Sequence, residues 1–193
     1  MSREKILRAL RRAQGSAASL PSSDGHWTTY PDPVEQFAVS LAAAGGRCVE
    51  VGAESLETAI EEVAACVQAR RIISLVSAGS GGMTFEAPHD YEGVDLAVCP
   101  GTFGVAENGA VWITDSVVPE PALLFLTQHL VLMLERRQIV SNMHEAYERL
   151  SFDERSYGTF ISGPSKTADI EQSLVIGAHG PRSVTVLLLA ADP

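Results

Sequence analysis

The sequence predicts an α/β domain built on a mostly parallel sheet. Three observations carry this reading. Residues 32–76 alternate helix and strand patterns, which is the grammar of βαβ units. Later apolar runs, such as 121–126 and 184–191, are strand-sized and far short of the ~18 uninterrupted apolar residues of a membrane span. The chain has 193 residues, 46% of them hydrophobic, enough to fill one packed core and too apolar for disorder throughout.

Asp32-Pro33 opens the first helix of this domain, with Pro in its first turn. Val34, Phe37, Ala38 and Leu41 share its inner face, and Gly45-Gly46 ends it. Arg47 to Val51 alternates like a strand. Residues 55–69 form a second amphipathic helix, with Leu56, Ala59, Ile60, Val63 and Val67 inward. Ile72 to Val76 suits a buried parallel strand. Ser77 to Thr84, with Gly79, Gly81 and Gly82, then follows that strand's carboxyl end, where open α/β sheets bind ligands. No G-x-G-x-x-G or Walker pattern accompanies it, so ligand contact and plain chain flexibility are both open. Leu96 to Cys99 is a strand, and 110–114 is another, entered from the turn Glu107-Asn108-Gly109. Residues 122–126 and 129–134 read as neighbouring strands parted by Thr127-Gln128. Residues 138–150 read as a helix with Ile139, Met143, Ala146 and Leu150 inward, and Phe160-Ile161 and 184–189 complete the sheet.

The formal net charge of −10 argues against a broad basic face for nucleic acid. It is unevenly spread. Arg3, Lys5, Arg8, Arg11 and Arg12 stand against Glu4 in residues 1–14, a local balance of +4, so the rest carries −14. Ile6, Leu7 and Leu10 lie on one side of this short basic amphipathic helix, and Gly15 to Tyr30 follows without periodicity. Residues 1–30 therefore read as an arm and 31–193 as the α/β domain. The arm has three possible destinations: the acidic body of its own chain or a sister subunit, a partner protein, or an anionic membrane surface. Its helix is too short to be stable alone. The basic start has no apolar stretch behind it, so it is not a secretory signal, and the expected location is the cytoplasm.

Cys48, Cys66 and Cys99 are scattered, without C-x-x-C spacing, and read as small buried hydrophobes. An iron–sulfur cluster needs closely spaced cysteines, so such chemistry is expected on another polypeptide and no intrinsic cofactor is expected here. His26, His89, His129 and His144 lack partners at metal-ligand spacing, so no metal site is expected. Neither G-x-S-x-G nor a legible triad is present.

Residues 161–182 carry the densest chemistry. Gly163-Pro164 breaks a strand ending at Phe160-Ile161. Ser165 or Thr167 then caps a helix whose first turn holds Asp169 and Glu171. This is either an ordinary capped helix or an anion site, because such a turn exposes backbone N–H groups and Lys166 adds a full charge. His179-Gly180-Pro181-Arg182 returns an imidazole and a guanidinium nearby. Lys166 and Arg182 are two of the nine basic residues outside the arm, which favours a local anion site in so acidic a chain. The candidate ligand-binding set is Asn108, Gly109, Ser162, Gly163, Pro164, Ser165, Lys166, Thr167, Asp169, Gly180 and Arg182. Glu107 and His179 are the candidate catalytic groups. Glu107 is a general base or orients a donor, and His179 titrates near neutrality, suited to taking a proton from a hydroxy acid. Each also has a structural alternative: a tight Asn-Gly turn beside an exposed Glu, and a hydrogen-bonded His in a turn.

The run Gly163-Pro164-Ser165-Lys166-Thr167-Ala168-Asp169-Ile170-Glu171, then Gly177-Ala178-His179-Gly180-Pro181 and an apolar strand, resembles the C-terminal signature of the LUD-domain family, lactate utilization protein C type. Gly104-Val105-Ala106-Glu107-Asn108-Gly109-Ala110-Val111 is similar to that family's Ala-(Glu/Asp)-(Thr/Asn)-Gly motif, with Asn108 and Ala110 where Thr is commoner. The resemblance covers roughly 95–190 and is vaguer over 31–94. It implies a Rossmann-like three-layer fold akin to the sugar-phosphate isomerase and coenzyme A transferase group. It also implies the cluster-free subunit of an L-lactate utilization system that oxidises lactate to pyruvate with iron–sulfur partner proteins, binding a small carboxylate or phosphate-bearing ligand. Two alternatives stay open: a non-catalytic accessory or assembly subunit, and a coenzyme A transferase-like enzyme using Glu107. The transferases of the related fold have Ser-Glu-Asn-Gly at this place, whereas Ala106 precedes Glu107 here and Val111-Trp112-Ile113 replaces their downstream Gly-x-Gly. Homo-oligomerisation is also open.

Overall fold

A computed structural model describes residues 3–13, 25–76, 91–150, 156–167, 175–176 and 180–190. The Gly-rich segment 77–84, His89, Asp169, Glu171 and His179 lie outside the described residues. The helices are α1 (Arg3–Ala13), α2 (Pro33–Ala43), α3 (Leu56–Cys66), α4 (Leu123–Leu126) and α5 (Met143–Arg149). The strands are β1 (Arg47–Val51), β2 (Ile72–Ser74), β3 (Leu96–Pro100), β4 (Phe103–Val105), β5 (Ala110–Thr114), β6 (His129–Glu135), β7 (Ile139–Val140), β8 (Gly158–Ile161), β9 (Lys166–Thr167), β10 (Val175–Ile176) and β11 (Ser183–Leu189).

The central sheet is parallel, in the order β1-β11-β6-β3-β2. Its strands are apolar on both faces, as expected when both are covered. Side-chain alternation sorts them. Ala97, Cys99, Leu130, Leu132, Leu134, Val184, Val186 and Leu188 face one core with Phe37 and Leu41 of α2 and Val111 and Ile113 of β5. Leu96, Val98, Val131 and Leu187 face the other, against Leu56, Ala59, Ile60, Val63 and Ala64 of α3. A second sheet, β7-β4-β5-β8, lies over the first core. Its far side packs Phe103, Val105, Trp112 and Val140 against Ala146 of α5. The layers therefore run α3, parallel sheet, α2 with the second sheet, and α5. No described helix is long and apolar enough to cross a membrane.

Several expectations change. Residues 122–126 contain the short helix α4 rather than a strand, since a run of four leucines and phenylalanines carries no period that separates the two. The helix expected over 138–150 starts only after Asn142, whose side chain accepts from the Glu145 N–H. Ile139 and Val140 are instead strand β7 beside β4. Phe160-Ile161 belongs to the second sheet, paired with β5, and not to the sheet that holds 184–189. The helix expected from Ser165 is replaced at Lys166–Thr167 by a two-residue antiparallel ladder with Val175–Ile176. Within 25–30, Trp27 stacks on His144 with ring centroids 3.4 Å apart, and the Thr28 carbonyl accepts from Asn142 Nδ2 at 3.0 Å. That segment is thus fastened to the α5 side of the domain.

Candidate functional site

Three turns distant in sequence meet at one edge. The turn after β4 is built by Asn108, whose Oδ1 accepts from the Ala110 N–H at 3.0 Å, while the Gly109 N–H donates to Val105 O at 2.9 Å. Gly109, at φ +65°, lies flat on the backbone of α2 at Leu41. The turn after β8 reaches the first through Ser162 Oγ, which donates to the Asn108 carbonyl at 2.7 Å. Gly163, at φ +68°, passes so close to α2 that a Cβ there would sit 2.5 Å from the Ala44 carbonyl oxygen. The third turn joins the second through the Ser165 N–H, which donates to Pro181 O at 2.9 Å. Ser40 Oγ on α2 also donates to Glu107 O at 3.3 Å. The structure thus brings Glu107, Asn108, Gly109, Ser162, Gly163, Pro164, Ser165, Lys166, Gly180 and Arg182 to one region.

The edge is the amino-terminal one. Gly46 abuts Gly163 and precedes β1, and Arg182 precedes β11. Ligands in open α/β sheets gather at the carboxyl edge, the end from which Ser77 to Thr84 departs. The backbone donors here are also largely engaged. The N–H groups of Glu107, Gly109, Ser165 and Arg182 donate to Ser141, Val105, Pro181 and Gln128 carbonyls. What faces solvent is side chain: Glu107, Asn108, Ser162, Lys166 and Arg182 are exposed, while Gly109, Gly163 and Pro164 are buried. Lys166 and Arg182 follow Ser165 and Pro181, whose backbones are hydrogen-bonded, and the Lys166 side chain passes Gly45, its Cε 3.7 Å from where a Cβ there would be.

Beside Arg182 lies a pair that sequence reasoning missed. His129 opens β6 and Ser183 opens β11, directly opposite each other in the ladder, with His129 Nδ1 and Ser183 Oγ 2.7 Å apart. They stand 54 residues apart in sequence, and only strand register unites them. Asp95, just before β3, accepts from the Arg70 and Arg71 N–H groups at 2.8 and 2.9 Å, and these bonds hold its carboxyl below the usual range. Burial, then the Arg182 charge, lowers the His129 pKa from its ordinary 6.5, opposed by Asp95. The unfolded chain therefore binds the extra proton more readily. Stability that is full above about 6.5 is lost as pH falls below it. His129→Gln is expected to flatten the fall in urea midpoint on mild acidification; an unchanged pH profile contradicts the assignment.

Fold and site together define a two-sheet α/β domain whose loops converge at the amino edge of a parallel sheet. The chain belongs to the LUD domain family, which it matches over residues 22–189. It is 34% identical over 93 residues to a lactate utilization protein C of Bacillus pumilus, covering 45% of this chain and 39% of that one. It is 33% identical over 92 residues to a protein of the same name from Shouchella clausii, covering 45% and 40%. It is 30% identical over 104 residues to the uncharacterized protein YkgG of Escherichia coli, covering 51% and 45%. The chain thus spans less than half the length of these relatives. A crystal structure of a DUF162 family protein from Deinococcus radiodurans shares the fold, with TM-score 0.57 and 16% identity, over 81% of this chain and 96% of that one.

Proposed function

We propose that this chain is the cluster-free subunit of a cytoplasmic L-lactate utilization system, in which iron–sulfur partner proteins take the electrons as lactate becomes pyruvate. The observation that carries the reading is the match to lactate utilization protein C at 34% identity within the LUD family. The thiols of this chain do not fit a cluster of their own. There are three, and a four-cysteine cluster needs one more. Cys48 and Cys99 share one row of the sheet, Cys48–Val186–Leu132–Cys99, three strand spacings or about 14 Å apart. Burial pushes the Cys99 thiol up to about 12, and a ligating sulfur must be a thiolate. Among the described residues no group of three His, Cys, Asp or Glu is placed to hold a metal ion.

The three-turn edge is the proposed ligand site. With its backbone donors engaged, selectivity for a small carboxylate or phosphate falls in this reading on Lys166 and Arg182, and Glu107, on the neighbouring turn, is the proposed base. The same engagement of backbone donors favours a second reading, an accessory subunit whose turns are structural. Growth separates the larger claim from its rivals. Deleting the gene should abolish growth on L-lactate while leaving growth on pyruvate intact, and the wild-type chain should restore it. Wild-type growth of the deletion strain on L-lactate contradicts the role. Restoration by a Glu107→Ala, Lys166→Ala chain favours the accessory reading.

A further inference from the structure

We infer that α1 docks on a second copy of this chain, in the cavity beside α3. Among the described residues the parallel sheet is short of cover on that face. Five strands span about 19 Å between outer axes, and a helix with its side chains covers about 10 Å. Among the described residues, the core on that face takes helical side chains from α3. Between α3 and the amino halves of β1 and β11 lies a cavity of about 250 Å³. Val49, Ala59, Val63 and Val67 line it, with Arg47 and Glu62 among its polar residues. β1 is an outer strand of the sheet, so the cavity opens at the side of the molecule.

The α1 helix has the shape and charge for this place. Its 11 residues are about 16 Å long. Ile6, Leu7 and Leu10 form an apolar stripe, yet Leu10 is 60% exposed and every residue of the helix is exposed. A helix this short is not stable without contacts, so its stripe calls for a partner surface. The helix carries Arg3, Lys5, Arg8, Arg11 and Arg12 against one acid, Glu4. The stretch from residue 53 to 69 carries Glu54, Glu57, Glu61 and Glu62 and no base, and all four acids are exposed. A basic amphipathic helix thus faces an apolar cavity with an acidic flank. Among the described residues α1 has none that is buried, and the charge match to the 53–69 stretch assigns the occupant of the cavity to a second copy, with the arms exchanged reciprocally.

Sedimentation of the full chain across a range of concentrations tests this. The wild type should form a dimer. Ile6→Asp with Leu10→Asp should raise its dissociation constant on the order of 100-fold or more, with the urea midpoint unchanged at concentrations where the wild type is also monomeric. A chain with Arg8, Arg11 and Arg12 changed to Glu should be monomeric. So should one with Glu57, Glu61 and Glu62 changed to Lys. An equimolar mixture of the two should dimerise, because each arm then meets the opposite charge. A wild type that stays monomeric at every concentration overturns the inference. So does a dimer indifferent to the Ile6 and Leu10 changes, or a monomeric chain that binds phosphatidylserine vesicles through α1.

Discussion

Gly109→Ala is expected to destabilise the domain by about 3 kcal/mol or more, a fall in Tm of roughly 6–12 °C for a chain of this size. Two costs combine. The residue holds φ +65°, where an L side chain is disfavoured, and a Cβ would overlap the Leu41 backbone, with its Cα at 2.5 Å. Helix backbone beneath the buried Leu41 cannot step aside as a flexible side chain can. Gly93 separates the two terms. It sits at φ +80°, but its nearest neighbour would be Arg71 Nη1 at 3.9 Å. Gly93→Ala should therefore cost only about 1 kcal/mol, the conformational part. Urea unfolding of both variants checks the account, and equal losses would remove the close approach of turn and helix from it.

Phe37→Ala is expected to cost about 3–5 kcal/mol. Phe37 is fully buried, and its ring edge lies 3.0 Å from where a Cβ on Gly104 would be. The ring therefore fills the space that the glycine of β4 leaves, and it joins α2 to both sheets. Truncation leaves a cavity between layers. A loss under about 1 kcal/mol in denaturant unfolding would mean that the layers repack freely and that this junction is not rigid.

The elements that the sequence made legible are those with strong local signals. Asp32 caps α2 as its position before Pro33 implies, its Oδ1 accepting from the Val34 and Glu35 N–H groups. The inner faces of α2 and α3 and the apolar runs at Leu96, His129 and Ser183 follow from periodicity alone. The second sheet was hidden because its strands are short and interrupted. Phe103–Val105 has three residues with Gly104 at its centre, and Ile139–Val140 has two. Ile139, Met143, Ala146 and Leu150 keep a helical spacing straight through Asn142, so periodicity outvoted the cap. At the edge site the Asn-Gly and Gly-Pro turns were legible, but their meeting was not. Asn108–Ser162 and His129–Ser183 are each joined across 54 residues, a separation that local pattern does not reach.

The central claim is that the edge where these turns meet holds a small anion through Lys166 and Arg182. Calorimetric titration of the purified chain with L-lactate, pyruvate and inorganic phosphate tests it directly. The account predicts saturable binding of at least one of them, weakened at least about tenfold by Lys166→Ala or Arg182→Ala, with the fold unchanged. Binding that survives both substitutions, or no heat and no thermal stabilisation with any of the three, would contradict it.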